Sequence, residues 1–373
     1  MTALTRTDTR PLSQWWWSVD RWLVIALAAI VTLGAILILA AAPPAAERMG
    51  LGSFQLVQRQ FAYLGLAVSV LFAVSLLSPV GVRRLGLLGL AGALALLALT
   101  PLVGVEINGA QRWLHLGGLS IQPSELVKPV LAVTVAWMLT LPRRGEPVPG
   151  DAIALALVGL TCALLLSQPD LGQTLLVVAT LGVQLFVAGL SWLWVAALGA
   201  TVVGGLVIAY LSLPYVAERI DAFLAPGPAS YQVERALTAF ERGGLLGTGP
   251  GEGTVKASLP DAHADFILAV AGEELGGLAA AAIVGLFAFV VLRGFVRLLH
   301  DDNLFVVLAG TGLLASFGIQ AAINMGSTLH LIPTKGMTLP LVSYGGSSLM
   351  GVALAMGMLV ALTRRSRNPE GEA

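Results

Sequence analysis

Long apolar runs recur along almost the whole chain, and they constrain its fold more than any other feature. Ten of them come close to or exceed the roughly 20 residues that an α-helix needs to cross a bilayer. They are Trp22–Ala42, Phe61–Leu77, Leu85–Val103, Ser124–Leu141, Ala152–Leu166, Gly172–Ala188, Trp192–Leu211, Phe266–Leu292, Leu304–Met325 and Ser343–Leu362. We therefore predict an all-α polytopic integral membrane protein with ten transmembrane helices, numbered below as spans one to ten.

Composition supports this fold class and excludes others. Hydrophobic residues make up 57% of the chain and charged residues only 11%, whereas a soluble domain carries about a quarter charged residues. The net charge is zero, so there is no basic field to attract nucleic acid, and we exclude it as a partner. Cys162 is the single cysteine, which excludes an intramolecular disulfide and a cysteine-based metal site.

Basic residues predict the orientation, because short cytoplasmic loops are enriched in Lys and Arg. An N-terminus on the cytoplasmic side also places these arginines there: Arg6, Arg10, Arg21, Arg83, Arg84, Arg143, Arg144, Arg293, Arg297, Arg364, Arg365 and Arg367. We predict that both termini are cytoplasmic. Residues 1–21 would be an N-terminal segment with an interfacial anchor at Trp15–Trp17, residues 22–363 the transmembrane domain, and residues 364–373 a cytoplasmic tail.

One connection is much longer than the others. Residues 214–265, between spans seven and eight, are too polar to cross a membrane, and long loops in compact folds are usually functional or disordered. Apolar periodicity predicts a helix at Tyr231–Phe240, and the glycines of 243–251 predict tight turns. We expect this extracytoplasmic loop to fold as a lid against the membrane surface.

Ionisable residues inside spans are costly and therefore become functional candidates. Glu125 and Lys128 are three residues apart and share one face of span four, either as an ion pair that locks helix packing or as substrate contacts. Glu273 and Glu274 in span eight must be paired, protonated or exposed to a wet cavity. Asp170 precedes span six at a position typical of a helix N-cap.

Asp265 stands apart because it begins span eight at the outer interface, directly after the long loop. It could be a simple helix cap, but His263 is two residues away and several cations lie on the same side of the membrane. A carboxylate beside cations suits a general base that acts next to a phosphate-bearing lipid. The cations are Arg112, Lys128, Lys256 and Lys335.

Several sequence motifs occur in a characteristic order. They are Ile107–Trp113 with Gln122–Glu125, then Gln168–Gln173, Tyr231–Gln232, Ala262–Phe266 with Gly272–Gly276, and Leu339–Ser348. Together they resemble the SEDS (FtsW/RodA) family of cell-wall polymerases, the proteins of shape, elongation, division and sporulation. The resemblance runs from span one to span ten, and Pro333–Pro340 is similar to the division-type branch. The chain departs from the family at Arg235-Ala236, usually Gln-Ser, and at Ala264, usually Thr.

The resemblance implies a peptidoglycan glycosyltransferase that polymerises lipid II for septal wall synthesis, with inversion and with Asp265 as general base. It implies a divalent cation, Mg²⁺ or Mn²⁺, whose site we do not locate. Expected partners are lipid II, a class B penicillin-binding protein of the FtsI type and other division proteins, at the inner membrane with the active site facing the periplasm. Substrate ligands would come from Arg112, Lys128, Lys256, Lys335, Ser343 and Ser347, supported by Glu125, Asp170, Tyr231, Gln232, His263, Glu273 and Glu274.

Two other functions fit a chain of this composition. It could be a flippase for lipid II or another transporter, but such proteins often show internal repeats and a site at the bilayer midplane. We find no repeat, and most polar candidates lie towards one side. It could also be a non-catalytic division scaffold, with Asp265 as a helix cap and the long loop as a docking surface.

Overall fold

The computed structural model describes residues 11–107, 110–116, 119–224 and 231–364. Each predicted span overlaps one helix, α2 to α8 for spans one to seven and α11 to α13 for spans eight to ten. The α-helices are α1 (Pro11–Ser18), α2 (Arg21–Arg48), α3 (Gln55–Ser75), α4 (Pro79–Val103), α5 (Pro123–Arg143), α6 (Gly150–Ser167), α7 (Leu171–Val187), α8 (Trp192–Ser212), α9 (Pro214–Leu224), α10 (Tyr231–Gly243), α11 (Ile267–Leu298), α12 (Leu304–Thr328) and α13 (Gly346–Leu362).

Most of these helices are built to cross a bilayer. In the described part of the chain, 7 helices are long and apolar enough to span, and a bent pair formed by α8 and α9 brings the number to 8 if it is one broken span. Two further apolar helices, α7 and α13, have 17 residues each. The protein is therefore a polytopic membrane protein, and the count of ten spans stays a prediction.

The centre of the bundle is α5, which packs against α4, α6, α7, α12 and α13. Most of its residues are buried, and α12 beside it is also mostly buried. A helix surrounded on all sides has no lipid-facing surface, so polar side chains on α5 must find partners on neighbouring helices. Glu125 and Lys128 both lie in this position.

A small antiparallel sheet connects α4 to α5, which the all-α prediction missed. Its strands are β1 (Val105–Ile107), β2 (Ala110–Leu116) and β3 (Leu119–Ile121), hydrogen-bonded in that order. Residues 108–109, which belong to the first motif, and residues 117–118 lie outside the described residues. Their sequences, Asn-Gly and Gly-Gly, are typical of hairpin turns, so they are a signal from which these short strands could have been predicted.

The described residues of the long loop, 214–224 and 231–265, are folded, while its expected role as a lid stays a prediction. The helix expected at Tyr231–Phe240 is confirmed as α10, a second helix, α9, precedes it, and a 3₁₀ turn follows at Val255–Ala257. Tyr231 lies at the start of α10, where its hydroxyl donates to the carbonyl of Ser258 at 3.3 Å, so it ties the helix to the rest of the loop. Gln232 beside it is half-buried.

The long loop also supplies hydrogen-bond donors at a break in α11. Gly276 has a φ of 88° and interrupts the helix, which leaves the preceding carbonyls without helical donors. The amides of Thr248 and Gly249 donate to the carbonyls of Glu273 and Glu274 at 2.9 and 3.0 Å. The loop backbone therefore satisfies polar groups that could not be left open in a membrane protein.

Candidate active site

Asp265 lies in a tight turn that leads into α11. In this turn Asp261 adopts a left-handed conformation with a φ of 51°, which aspartate tolerates better than most residues. Its carbonyl accepts the amides of Ala264 and Phe266 at 3.0 and 3.3 Å. The turn therefore fixes the Asp265 carboxylate, half-buried, at the start of α11.

Asn324 on α12 holds the main chain at this position. Its side-chain amide donates to the carbonyl of Asp265 at 2.7 Å and to that of Met337 at 2.6 Å, and Asn324 is only 2% exposed. A buried amide that bridges two carbonyls is costly to disturb, since its loss leaves both acceptors unpaired. Sequence reasoning overlooked Asn324, although an amide in an otherwise apolar run was a usable signal.

The segment between α12 and α13 covers Asp265. A β-carbon added at Gly336 would lie 3.4 Å from Oδ2 of Asp265, so the backbone passes directly against the carboxylate. The Ser343 hydroxyl donates to the carbonyl of Ala264 at 2.5 Å and accepts the amide of Leu339 at 2.8 Å. Ser343, expected among the substrate ligands, is thus placed where it fastens this segment to the Asp265 turn.

Ser347 has a similar place. Its hydroxyl accepts the amide of Gln122 at 2.9 Å and donates to the carbonyl of Ser120 at 3.2 Å, and the residue is buried. These bonds join the start of α13 to the end of β3 and the start of α5. Both serines that we expected to bind substrate are therefore engaged inside the protein.

His263, two residues before Asp265, is buried and packs against Tyr344. Its carbonyl accepts the amide of Tyr344 at 2.8 Å, and the two rings lie 5.2 Å apart. Burial lowers the pKa of His263, although the charge of Asp261 opposes this. The neutral, buried imidazole therefore helps to pack the Asp265 turn against Tyr344, just before α13.

Two cations lie around the site. Arg219, which was not singled out from the sequence, acts on the Asp265 carboxylate, whereas Lys335 lies on the side that faces Asp170. Arg219 on α9 is within 3.5 Å of the Thr334 carbonyl, and Lys335 follows that residue. The pKa of Lys335 is lowered by burial and by the charge of Arg219, with Asp170 acting in the opposite direction. Among the described residues neither cation forms an ion pair, so the pair attracts an anion.

The electrostatic setting of Asp265 suits proton transfer. Burial and then the charge of Asp261 raise the pKa of Asp265 to about 6, against the opposing charge of Arg219. A general base works best when its pKa lies near the operating pH. Asp265 therefore meets the protonation requirement for a base at neutral pH, in addition to its position.

Glu125 and Lys128 form a buried ion pair at 2.9 Å. Lys128 also donates to Oε1 of Gln320 at 2.7 Å, and Glu125 accepts the side-chain amide of Gln173 at 2.6 Å. Gln320 in turn donates to the carbonyl of Thr338 at 3.1 Å. Of the two alternatives left open by the sequence, the geometry favours helix packing, because both charges are satisfied within α5, α7 and α12.

Arg112 and Asp170 meet at the turn between α6 and α7. The Arg112 guanidinium donates to the carbonyls of Gln168, at 3.0 Å, and Pro169. Asp170 caps α7 by accepting the amide of Gln173 at 3.3 Å, as the sequence predicts. The charge of Asp170 reaches both Arg112 and Lys335, so this turn lies at the edge of the site.

Glu273, Glu274 and Lys256 find their partners within the contact between the long loop and α11. The Glu273 carboxylate is fully buried and accepts the amides of Thr254, Val255 and Lys256 at 2.7, 2.7 and 3.0 Å. The Lys256 ammonium forms a buried ion pair with Glu274. Lys256, expected to bind pyrophosphate, is instead placed inside the protein, where its charge is already compensated.

A metal site made by the protein alone does not fit the described residues. Among them, no three His, Cys, Asp or Glu side chains come together closely enough to hold an ion. Mg²⁺ is often bound by one or two carboxylates together with substrate phosphates. A divalent ion at Asp265 would need most of its oxygen ligands from the substrate.

Comparison with known proteins gives consistent results over nearly the whole chain. A family model described as cell cycle protein, for FtsW, RodA and SpoVE, matches residues 21–368. A Caulobacter vibrioides protein named "Probable peptidoglycan glycosyltransferase FtsW" is 43% identical over 365 residues, which cover 97% of this chain and 94% of that protein. A Coxiella burnetii protein of the same name is 34% identical, with 94% and 98% covered.

Solved structures show the same relationship. A chain from "Structural coordination of polymerization and crosslinking by a peptidoglycan synthase complex" has a TM-score of 0.76 and 31% identity, covering 92% of this chain and 97% of that one. The rod shape determining protein RodA of Thermus thermophilus has a TM-score of 0.70 and 30% identity, covering 93% and 97%. This chain belongs to the FtsW/RodA/SpoVE family, the SEDS family that its motifs resemble.

Proposed function

We propose that the protein is a peptidoglycan glycosyltransferase that polymerises lipid II, with Asp265 as the general base and inversion at the anomeric carbon. The observation that carries the proposal is the half-buried Asp265 carboxylate, whose pKa is raised to about 6 under the influence of Asp261 and Arg219. Asn324 holds the main chain at this position. The relatives named as FtsW and the polymerising complex support the same reaction.

The proposed reaction is a single displacement. Asp265 takes the proton of an acceptor sugar hydroxyl. At the same time the oxygen of that hydroxyl forms a bond to the donor's anomeric carbon. The bond from that carbon to the pyrophosphate oxygen breaks, and undecaprenyl pyrophosphate leaves with the electron pair. Attack on the face opposite the leaving group inverts the anomeric centre, as in other inverting glycosyl reactions.

Positive charge is needed where the pyrophosphate leaves, and Arg219 and Lys335 are the described residues best placed to supply it. A pyrophosphate is weakly basic, so the step does not require a general acid. We include a divalent cation, Mg²⁺ or Mn²⁺, in the proposal because the SEDS resemblance implies one. When bound with substrate phosphates it would act as a Lewis acid.

Access from the membrane fits this substrate. Lipid II carries an undecaprenyl chain, so its sugars must reach the site while the chain stays in the bilayer. Most residues of α8 are exposed, and the helix packs mainly on α7 and α9. The α8–α9 edge, which carries Arg219, is the side on which we propose that the lipid chain enters.

We also propose the cellular setting. The neighbouring structure of a complex that coordinates polymerization and crosslinking supports a class B penicillin-binding protein of the FtsI type as partner. Relatives named FtsW support a role in septal wall synthesis with other division proteins. The site would face the periplasm from the inner membrane, in agreement with the arginine distribution.

The decisive experiment measures glycan chains made from lipid II by the purified protein with its transpeptidase partner and Mg²⁺. We expect Asp265→Asn to lower the rate by about 10²- to 10⁴-fold, the usual contribution of a general base. The matched control is Asp302→Asn, an exposed aspartate in the loop between α11 and α12, which should retain parental activity.

Three results would count against the proposal. They are a parent that makes no polymer, an Asp265→Asn variant that polymerises at the parental rate, and a parent that moves lipid II across vesicles without polymerising it. The last would favour the flippase. If Asp265→Asn and Asp302→Asn unfold at the same temperature, a loss of activity in Asp265→Asn is not caused by misfolding.

A further inference from the structure

A cavity of about 980 Å³ lies at the end of the bundle away from Asp265. One of its lining residues, Arg293, is near the far end of α11. It lies about 25 Å along the helix axis beyond the break at Gly276, at the rise of a helix. The hydrocarbon core of a bilayer is about 30 Å thick. The cavity therefore lies at the opposite membrane interface and is separate from the candidate active site.

Charge in the cavity is positive. Its charged lining residues are Arg21, Arg293, Arg297, Arg364, Asp20 and Asp301, four positive charges against two negative ones. Both carboxylates are already engaged: Arg293 donates twice to Oδ2 of Asp20, at 3.0 and 2.7 Å, and Asp301 accepts the amide of Asn303 at 2.9 Å. Arg364 donates to Ser18 and to the carbonyl of Ser75, and Arg293 is paired with Asp20, so Arg21 and Arg297 are the cations that we consider for a ligand.

Arg297 is the arginine best placed to bind an anionic ligand. Its Nε atom donates to the carbonyl of Thr363 at 3.2 Å, and within the described chain its two terminal nitrogens have no protein acceptor. Arg21 lies with its guanidinium 4.1 Å from the ring centre of Trp17 and forms no ion pair with a described residue. Arginine guanidinium groups match the oxygens of a phosphate group.

The wall beside these arginines is apolar and open. Trp22 and Leu76 both line the cavity and are 63% and 44% exposed. Tryptophan is enriched at the level of lipid headgroups, and Trp15 is fixed there by a 2.9 Å hydrogen bond from its indole to Ser75. A small phosphate ion would contact only the arginines, whereas a phospholipid would use the arginines and the apolar wall together.

We propose that this cavity binds the phosphodiester headgroup of an anionic phospholipid, with Arg297 and Arg21 on the phosphate and Trp22 and Leu76 along the acyl chains. Basic pockets between helices at the cytoplasmic side of membrane proteins bind anionic headgroups in this way. The proposal rests on the cavity alone and does not depend on the proposed polymerase activity.

The test is a lipid titration of the purified full chain in detergent, followed by native mass spectrometry and by thermal unfolding. Phosphatidylglycerol should bind saturably and raise the unfolding midpoint, and phosphatidylcholine and inorganic phosphate should not. Losing one interfacial cation should weaken phosphatidylglycerol binding about fivefold, so we expect this for Arg297→Gln and for Arg21→Gln, with partial retention in Arg297→Lys. The control is Arg84→Gln, an exposed arginine on α4 outside the cavity.

Each other outcome overturns the proposal in a defined way. Equal binding of phosphatidylcholine would remove the requirement for an anionic headgroup. An equal loss in Arg84→Gln would mean general attraction to the membrane surface. Inorganic phosphate that saturates the site as phosphatidylglycerol does would assign the cavity to a soluble phosphate compound. If Arg297→Gln fails to fold, Arg21→Gln decides the question by the same titration.

Discussion

Asp265 owes its proposed chemistry to burial and to two neighbours of opposite sign. Burial raises its pKa first, the charge of Asp261 raises it further, and Arg219 lowers it, with the result near 6. A carboxylate that must be ionised to accept a proton loses activity as the pH falls through its pKa. The position of the acid limb of the rate profile is therefore set first by burial and then adjusted by these two neighbours.

We predict that the polymerisation rate of the parent falls as the pH drops through about 6. Asp261→Asn removes a negative charge, so the acid limb should move to lower pH. Arg219→Gln removes a positive charge, so the limb should move to higher pH. The measurement is kcat/KM for lipid II between pH 5 and 8 for the three proteins (about the range in which histidine and shifted carboxyls titrate).

The opposite directions are the control, since a general loss of structure would not move two variants apart. Asparagine also tolerates the left-handed backbone at Asp261, so this change leaves the turn intact. If the acid limbs of the pH–rate profiles coincide in all three proteins, a group other than Asp265 controls the rate at low pH. A limb that moves upward in Asp261→Asn would contradict the assigned charge interaction.

At the scale of elements, the break in α11 is what lets the long loop enter the bundle. A β-carbon at Gly276 would lie 2.4 Å from the amide nitrogen of Gly247, and the φ of 88° is itself unfavourable for other residues. Glu273 reinforces the contact by accepting three amides of the 254–256 turn. Backbone and carboxylate together fasten the loop that ends at Asp265.

We predict that Gly276→Ala destabilises the protein by at least about 1 kcal/mol and exposes residues 243–256 to protease. The matched control is Gly285→Ala on the same helix, where an added β-carbon meets nothing within 4 Å. That variant should be neutral or stabilised by up to about 1 kcal/mol, the helix advantage of alanine. Thermal unfolding measures the change in stability, and limited proteolysis measures the exposure of the loop. Equal behaviour of the two variants would contradict the close packing of the loop against Gly276.

Element positions were largely predictable and their contacts were not. Apolar runs located the helices because burial in lipid or protein requires about the same length in every span. The β1–β3 sheet was missed because its strands have as few as three residues. Arg219 was missed because α9 is amphipathic and short, and Lys256 was placed with the phosphate ligands because a sequence cannot show that Glu274 lies against it.

At the scale of the whole molecule, α5 connects the bundle to the site through one polar network. Glu125 and Lys128 link α5 to Gln173 on α7 and Gln320 on α12, and Gln320 continues to Thr338 in the segment that covers Asp265. Breaking one partner of a buried pair leaves an uncompensated charge, whereas removing both leaves none. The two alternatives, a packing pair or a substrate contact, therefore differ in what a double substitution does.

We predict that Lys128→Met costs about 3 to 5 kcal/mol of stability and that Glu125→Gln/Lys128→Met recovers a large part of it. Polymerisation should return with stability, because Lys128 is only 6% exposed and its donors are used inside the protein. The control is Asp151→Asn, which breaks the surface ion pair with Arg143 and should cost no more than about 1 kcal/mol. If the stability losses of the two substitutions simply add in the double variant, the two side chains are not coupled. A double variant that is stable but inactive would instead indicate that Lys128 contacts the substrate.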